Sequence, residues 1–472
     1  MIDIKREISD DDEDDNYQAL RNDNSLKRVK LFTENERYLD TIDKKKLDFD
    51  LEKICAVTLS NINVYSCLVC GKYLQGRDEG SPAFAHSMEE NHRVFINIQS
   101  LKTYVLPDDY QVINSQSLEC IKYCFRPTFE DSAVSEFPVP CFDLYNNKYL
   151  NGFVGLNNIS SNDYSNVIIL LLSHIKPVRD YLLLNDNLLK KDDVFLQKFT
   201  LLIRKIWSPK LPKKHVSPHE FLQHVSSISD KAFSLDRRGD PRSFLLFIVN
   251  KIMKSSNRGL RKLFTKQLQG EVSIYTTKIE PVMEEGNNIK FVRNEENVSS
   301  NTVKFWILSL DLPPKPLFKD GKSVASLTQI KLEQLLKKYN GKVEQHTKDS
   351  IKFSKIVSYP PYLLLHVKRF DSSNHSIKDR NQAVVEFQSN MDIGKFRYRL
   401  VANLIYEPDL KYSSDVQSSI LDEQCHWKIH IRNEKNDEWF EFDGVSVRPK
   451  KKELLFLSES YMQVWERVSA LE

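Results

Sequence analysis

No apolar run in the chain approaches the ~20 residues that a membrane-spanning helix needs. The longest strongly apolar run, Val167 to Leu172, has six residues. Acidic residues stand near the N-terminus where a secretory signal requires an apolar stretch, so a membrane or secreted protein is not expected. Glycine is scarce, with 13 in 472 residues, and none builds a phosphate-binding loop. Gly71 and Gly76 have the spacing, but Arg77 stands where a lysine must follow, which disfavours a nucleotide-binding enzyme. An excess of one charge is missing too: 68 Lys plus Arg face 65 Asp plus Glu, for a net charge of +3. That is too little to give the whole chain an electrostatic footprint for nucleic acid, so any RNA contact is expected to be peripheral or indirect. The seven cysteines are an odd count, grouped only at Cys55, Cys67 and Cys70. Such usage points to metal binding in a reducing compartment and away from disulfides. No repeat at a period of roughly 20–50 residues is present, which excludes a solenoid or propeller.

What is present suffices for large cores: 40% of residues are hydrophobic and 11% aromatic. Residues 1–37 run from an acidic stretch, Asp10 to Asp15, to a basic cluster, Lys27 to Lys30. This segment is expected to be a disordered tail whose basic cluster is either an import signal or a solvated face. Residues 38–129 are rich in aromatic and β-branched residues and read as a small metal-stapled domain. Residues 130–150 contain Pro138 and Pro140 without helical or strand periodicity, as expected of a linker. In residues 151–472, apolar stripes at helical spacing (Tyr164–Leu172, Val178–Leu184, Phe195–Ile206, Phe244–Met253) precede β-like runs at Thr302–Leu310 and Tyr362–Val367. Helices first and strands afterwards predict an α+β fold.

Cys67-Leu-Val-Cys70 is a Cys-x2-Cys knuckle, and His86 and His92 follow 16 and 22 residues after Cys70. Two thiolates and two imidazoles satisfy tetrahedral zinc without an open position, the donor set of a structural site. The alternative is two buried cysteines and two surface histidines. Cys55, twelve residues before Cys67, is the other candidate ligand.

The stretch from Asn63 through Cys67-Leu-Val-Cys70-Gly-Lys-Tyr-Leu-Gln-Gly76-Arg77 to His92-Arg-Val-Phe-Ile-Asn-Ile resembles the zinc finger of ubiquitin-binding proteins, the ZnF-UBP module. In that family an Arg-Tyr-Phe-like stretch after the Cys-Gly and a further histidine hold the free carboxylate of the ubiquitin tail. Here the matching segments read Lys72-Tyr73-Leu74 and Pro82-Ala83-Phe84-Ala85-His86. Without the arginine that pairs bidentately with a carboxylate, the resemblance implies a structural or protein-docking finger.

Gly155-Leu-Asn-Asn158-Ile-Ser-Ser-Asn-Asp163-Tyr-Ser-Asn166 resembles the nucleophile box of the ubiquitin-specific proteases. The resemblance puts Asp163 at the nucleophilic cysteine, Asn158 at the oxyanion-stabilising side chain, His426 at the general base and Asp443 at the residue that orients it. A carboxylate has no proton to surrender and is a poor nucleophile toward an amide. Asp163 reads equally as an N-cap or first-turn residue, and beside it His426 would form a charge-assisted hydrogen bond. Ser160 and Ser161 sit too early to replace the nucleophile. Cys425 stands where the family has a glycine lining the channel for the ubiquitin tail, so the resemblance argues against ubiquitin binding as well as cleavage.

Arg238-Gly-Asp240-Pro-Arg-Ser-Phe-Leu245 and Tyr359-Pro-Pro-Tyr-Leu-Leu-Leu-His366-Val-Lys-Arg-Phe370 resemble further boxes of these proteases. With Leu47-Asp-Phe-Asp-Leu-Glu-Lys53, the chain is similar to the spliceosomal, tri-snRNP-associated, ubiquitin-protease-like family named for defective snRNP assembly. The resemblance implies a ZnF-UBP finger followed by an inactive protease domain of thumb, palm and fingers. It also implies a nuclear, non-catalytic splicing factor that contacts tri-snRNP proteins.

Overall fold

The computed structural model describes residues 38–50, 52–113, 116–190, 193–284, 288–314, 328–346, 350–370, 380–409 and 424–470. The expected acidic and basic tail lies outside them. By contacts the chain divides into two units, which meet in sequence at Arg126 and Pro127.

The first unit is a five-stranded antiparallel sheet in the order β2-β1-β3-β4-β5, from β1 (Val64–Cys67), β2 (Tyr73–Gln75), β3 (Val94–Asn97), β4 (Thr103–Val105) and β5 (Tyr110–Val112). Helix α1 (Pro82–Glu89) starts where the Ser81 hydroxyl accepts the Phe84 N–H at 3.4 Å, with proline in the first turn where its missing donor costs nothing. Helix α2 (Gln116–Phe125) brings Leu118, Ile121 and Phe125 onto Val64, Val94 and Ile96. Leu47 and Phe49 join that core, which accounts for the Leu47–Lys53 motif: it anchors the finger's entry segment.

The second unit opens with α3 (Asp131–Ser135) and a hairpin of β6 (Pro140–Phe142) and β7 (Lys148–Leu150). The stretch without periodicity is therefore built into this unit, and Val134, Phe137, Cys141 and Tyr149 are buried in its core. Elements too short for a repeat leave no periodic signal. A parallel pair, β8 (Gly155–Leu156) and β9 (His215–Val216), frames the helices α4 (Asp163–Ser173), α5 (Lys176–Leu184), α6 (Val194–Ile206), α7 (His219–Ile228), α8 (Pro241–Lys254) and α9 (Arg258–Leu268). Every residue of α4 from Tyr164 to Ser173 is buried, so its apolar run is a core helix enclosed by its neighbours.

The strands follow. β10 (Gly270–Glu284) and β11 (Asn288–Phe305) form a long antiparallel ribbon. Then come β12 (Leu308–Asp311), β13 (Gln329–Lys331), α10 (Leu332–Leu336), β14 (Gln345–His346), β15 (Ser350–Ser358) and β16 (Tyr362–Lys368). The chain ends with β17 (Val384–Glu386), β18 (Asn390–Ile393), β19 (Phe396–Asp409), β20 (Gln424–Asn433), β21 (Glu438–Asp443), β22 (Ser446–Lys450) and β23 (Glu459–Ala470). The main sheet runs β12-β16-β23-β19-β20-β21-β22 with β18 beside β19, and a separate sheet runs β11-β10-β15-β14. The single run expected at Thr302–Leu310 is two strands, because Trp306 and Ile307 leave the ladder to pack on the helical core while Leu308 and Leu310 enter a second core. Among the described residues no helix is long and apolar enough to cross a membrane.

Candidate functional site

Two side-chain constellations stand apart from ordinary packing, one in each unit. In the finger, β1 ends on Cys67 and the chain turns through Gly71, whose φ of +82° places it in the left-handed region. A Cβ there would lie 2.5 Å from the Lys46 carbonyl oxygen, so only glycine fits the turn. The turn is closed by Gly71 N–H to Cys67 O and Cys67 N–H to Lys72 O, each 2.9 Å, which folds Cys70 back beside Cys67. Helix α1 supplies His86 and the following loop His92. One ligand atom from each of Cys67, Cys70, His86 and His92 lies within 4.8 Å of all the others. Cys70 Sγ is 3.4 Å from His86 Nε2, which is 3.0 Å from His92 Nδ1. The hydrogen bond from Cys67 holds the Cys70 thiol well below the ordinary range, while the same bond and burial push Cys67 up. Two soft sulfurs and two imidazoles converging on one point fit zinc in donor type and number.

Cys55, the other candidate ligand, stands outside this cluster. It is fully buried, and its Sγ accepts N–H groups of Gln75 at 3.2 Å and of Val57 and Thr58 at 3.4 Å. Burial pushes its thiol up, but a hydrogen bond from the Thr58 side chain together with those backbone bonds outweighs burial and holds it below the ordinary value. Cys55 thus pins the 56–60 loop to β2.

In the second unit, Gly155 lets β8 run against the turn after β21: a Cβ there would lie 2.4 Å from Val445 O. The loop from Asn157 to Asn162 then leads into α4. Asn162 Oδ1 accepts the N–H groups of Ile159 at 2.8 Å and Ser160 at 3.4 Å, and Asn166 Nδ2 donates to Asn158 Oδ1 at 2.7 Å and Asn157 O at 3.2 Å. Asn162 and Asn166, which sequence reasoning passed over, therefore hold the loop. Their spacing of four residues at a helix start was the available signal. Asn158 is exposed with its carbonyl oxygen engaged by Asn166.

Asp163 is the first residue of α4, where a carboxylate meets free N–H groups. Its Oδ1 accepts the Tyr164 N–H at 2.9 Å and its Oδ2 accepts the Trp427 N–H at 3.0 Å. Trp427 lies on β20, whose pairing with β21 begins only at Ile429 opposite Phe442, so among the described residues no strand supplies an acceptor on that side of Trp427. The carboxylate takes that place and ties helix to sheet. Burial pushes the Asp163 carboxyl up, against the pull of these two hydrogen bonds and of the charges on His426 and Arg238.

His426 stands beside this bond on β20, opposite Glu407 of β19. Asp443, at the end of β21, points its carboxylate at Lys428, with Oδ2 3.2 Å from Nζ. Lys428 also pairs with Glu407, and although burial works against its ammonium, the two carboxylates hold its pKa above the ordinary value. Lys428 was not singled out by the sequence, since strand alternation alone does not reveal a cross-strand partner. The side chain of Cys425 lies outside the described residues. Asp240 caps α8 by accepting the Arg242 and Ser243 N–H groups, each at 3.1 Å, and takes the Tyr461 hydroxyl at 2.6 Å.

Residues 154–465 match the family model of ubiquitin carboxyl-terminal hydrolases, and residues 55–117 match that of the zinc finger in ubiquitin-hydrolases and other proteins. The Pre-mRNA-splicing factor SAD1 of Saccharomyces cerevisiae is 39% identical over 472 residues, covering 99% of each chain. The chain belongs to the splicing-factor branch of the ubiquitin carboxyl-terminal hydrolase family. Ubiquitin carboxyl-terminal hydrolase 39 of Homo sapiens is 35% identical over 462 residues, 91% of this chain and 79% of that protein. The crystal structure of an essential yeast splicing factor superimposes with a TM-score of 0.77 at 39% identity, over 92% of this chain and all of the other. The α+β architecture, a finger followed by a protease-like domain, is the fold expected of this branch.

Proposed function

We propose that the chain is a nuclear, non-catalytic pre-mRNA splicing factor, a protein scaffold that helps assemble and stabilise the spliceosomal tri-snRNP. The observation that carries the reading is the end-to-end similarity to a pre-mRNA-splicing factor at 39% identity over 99% of both chains. The chemistry of the protease-like cleft supports it. The resemblance assigns Asp163 to the nucleophile position, where its carboxylate accepts the Trp427 N–H, and the Asp443 carboxylate assigned to orient His426 is paired with Lys428. A thiol protease needs a proton-bearing nucleophile, and a carboxylate in that position is not one.

In this reading the unit that ends at Arg126 is the finger and the unit that starts at Pro127 the protein-binding scaffold, with the basic tail cluster serving import. Cys67, Cys70, His86 and His92 would hold one structural zinc, which clamps β1 to α1 in a unit too small for a large core. Partners are tri-snRNP proteins, with RNA contacted peripherally or through them.

The test is affinity purification of the tagged chain from nuclear extract at moderate salt, with co-purifying RNAs and proteins identified. Recovery of the tri-snRNP RNAs with their proteins is expected. Recovery of ubiquitin conjugates without those RNAs would overturn the scaffold and make the second unit a ubiquitin receptor.

A further inference from the structure

The hairpin of β6 and β7 has one face in the core and the other in solvent. Cys141 and Tyr149 pair across it and are buried, whereas Phe142 is 60%, Leu144 38% and Tyr145 50% exposed. Strand alternation puts Phe142 on the face opposite Cys141, directly across from Lys148. A single exposed apolar side chain is ordinary, but three within four residues on one turn mark a surface that the fold itself does not use.

This surface is held rigidly. Asp143 is buried and accepts the Tyr145 N–H at 2.9 Å and the Asn147 N–H at 2.8 Å, and the Lys214 N–H also bonds to it. The Leu144 N–H donates to Pro212 O at 3.3 Å, and the Tyr149 hydroxyl accepts the Leu211 N–H at 2.9 Å while donating to Ser208 O at 3.3 Å. The hairpin and the 208–214 segment between α6 and β9 therefore form one platform, whose backbone needs no ordering when a ligand lands on it. Its charge is one-sided. Residues 139–150 and 208–214 contain four lysines, Lys148, Lys210, Lys213 and Lys214, against the single buried acid Asp143. Lys148, Lys210 and Lys214 are exposed, and Lys213 is half-buried.

We propose that this platform binds single-stranded RNA without sequence preference, bases stacking on Phe142 and Tyr145 and phosphates passing the four lysines. Every base has a π-face, so two exposed rings accept any sequence, and ammonium groups beside them track the backbone. An acidic peptide would satisfy the lysines but has few flat groups to offer the rings. The choice of RNA over DNA rests on the splicing role proposed above, whereas the stacking and the charge do not. Oligonucleotide binding in solution tests the platform, and the affinity purification tests the role, so the two can fail separately.

The experiment is fluorescence anisotropy of a labelled 12-residue oligouridylate titrated with the full chain at several salt concentrations. Saturable binding that weakens with salt is expected. The double variant Phe142→Ala with Tyr145→Ala, both at exposed positions, should keep its melting temperature and bind at least about tenfold more weakly. On single strands each neutralised phosphate contributes about 0.7 to the slope of log affinity against log salt, so Lys148→Ala with Lys214→Ala should flatten that slope by about 1.4. Absence of saturable binding, undiminished affinity in the aromatic variant, or an unchanged slope in the lysine variant would each overturn the proposal. So would displacement of the label by oligoglutamate as readily as by unlabelled RNA, which would make the platform a dock for acidic peptides.

Discussion

Replacing Asp163 by alanine removes the acceptor of the Trp427 N–H at a point where β21 has already ended. Two effects oppose each other. The lost bond leaves a donor unsatisfied beside a buried helix, at a cost of about 1–3 kcal/mol. The variant also relieves the burial of a carboxylate whose pKa is raised in the fold, and that relief offsets part of the loss in global stability. The sharp readout is therefore local, the hydrogen exchange of the Trp427 amide. A loss of about 1–3 kcal/mol in local protection accelerates exchange on the order of 5- to 150-fold. Asp163→Asn keeps an acceptor oxygen and should retain most of the protection. The pH dependence has a definite sign. Because the folded carboxyl titrates above its unfolded value, Asp163 contributes most below the ordinary aspartate range and loses that contribution as pH rises through the folded pKa. Wild type should thus gain stability relative to Asp163→Asn on acidification. Unchanged Trp427 exchange in the alanine variant, or equal acceleration in the asparagine variant, would refute the latch.

Three further outcomes can be checked. Cys70→Ser should abolish stoichiometric zinc by elemental analysis and unfold the finger while leaving the melting transition of the second unit, whereas Cys55→Ser should keep its zinc and only loosen the 56–60 loop. The unmodified chain should show no turnover of di-ubiquitin, because Asp163 offers no thiol nucleophile; turnover abolished by His426→Ala would refute the pseudoenzyme. Glu441 is held down to about 2, chiefly by its 3.1 Å hydrogen bond with His430, with Lys450 helping. Its stabilisation is present above the ordinary glutamate pKa and lost as pH falls toward 2, so Glu441→Gln should flatten the acid limb of the stability curve.

The sequence foretold what depends on spacing and composition. The four helical stripes fall within helices 163–173, 176–184, 194–206 and 241–254, since burial of one face forces a helical period on the residues. The Cys-x2-Cys knuckle and the two later histidines converge because a tight turn, one helix and the loop after it carry all four. What escaped depends on register and short-range geometry. Asp443 meets Lys428 only because β20 and β21 pair as they do, and the asparagine network of the 157–166 loop rests on hydrogen bonds between irregular backbone positions. The stretch from 130 to 150 concealed a helical turn and a hairpin because its helix and strands each span fewer than two periods of the pattern being sought.

The Asp163 contact also bears on the order of folding. Asp163 and Trp427 stand 264 residues apart in the chain, so their hydrogen bond closes a long loop and is made only once both ends of the second unit have been gathered.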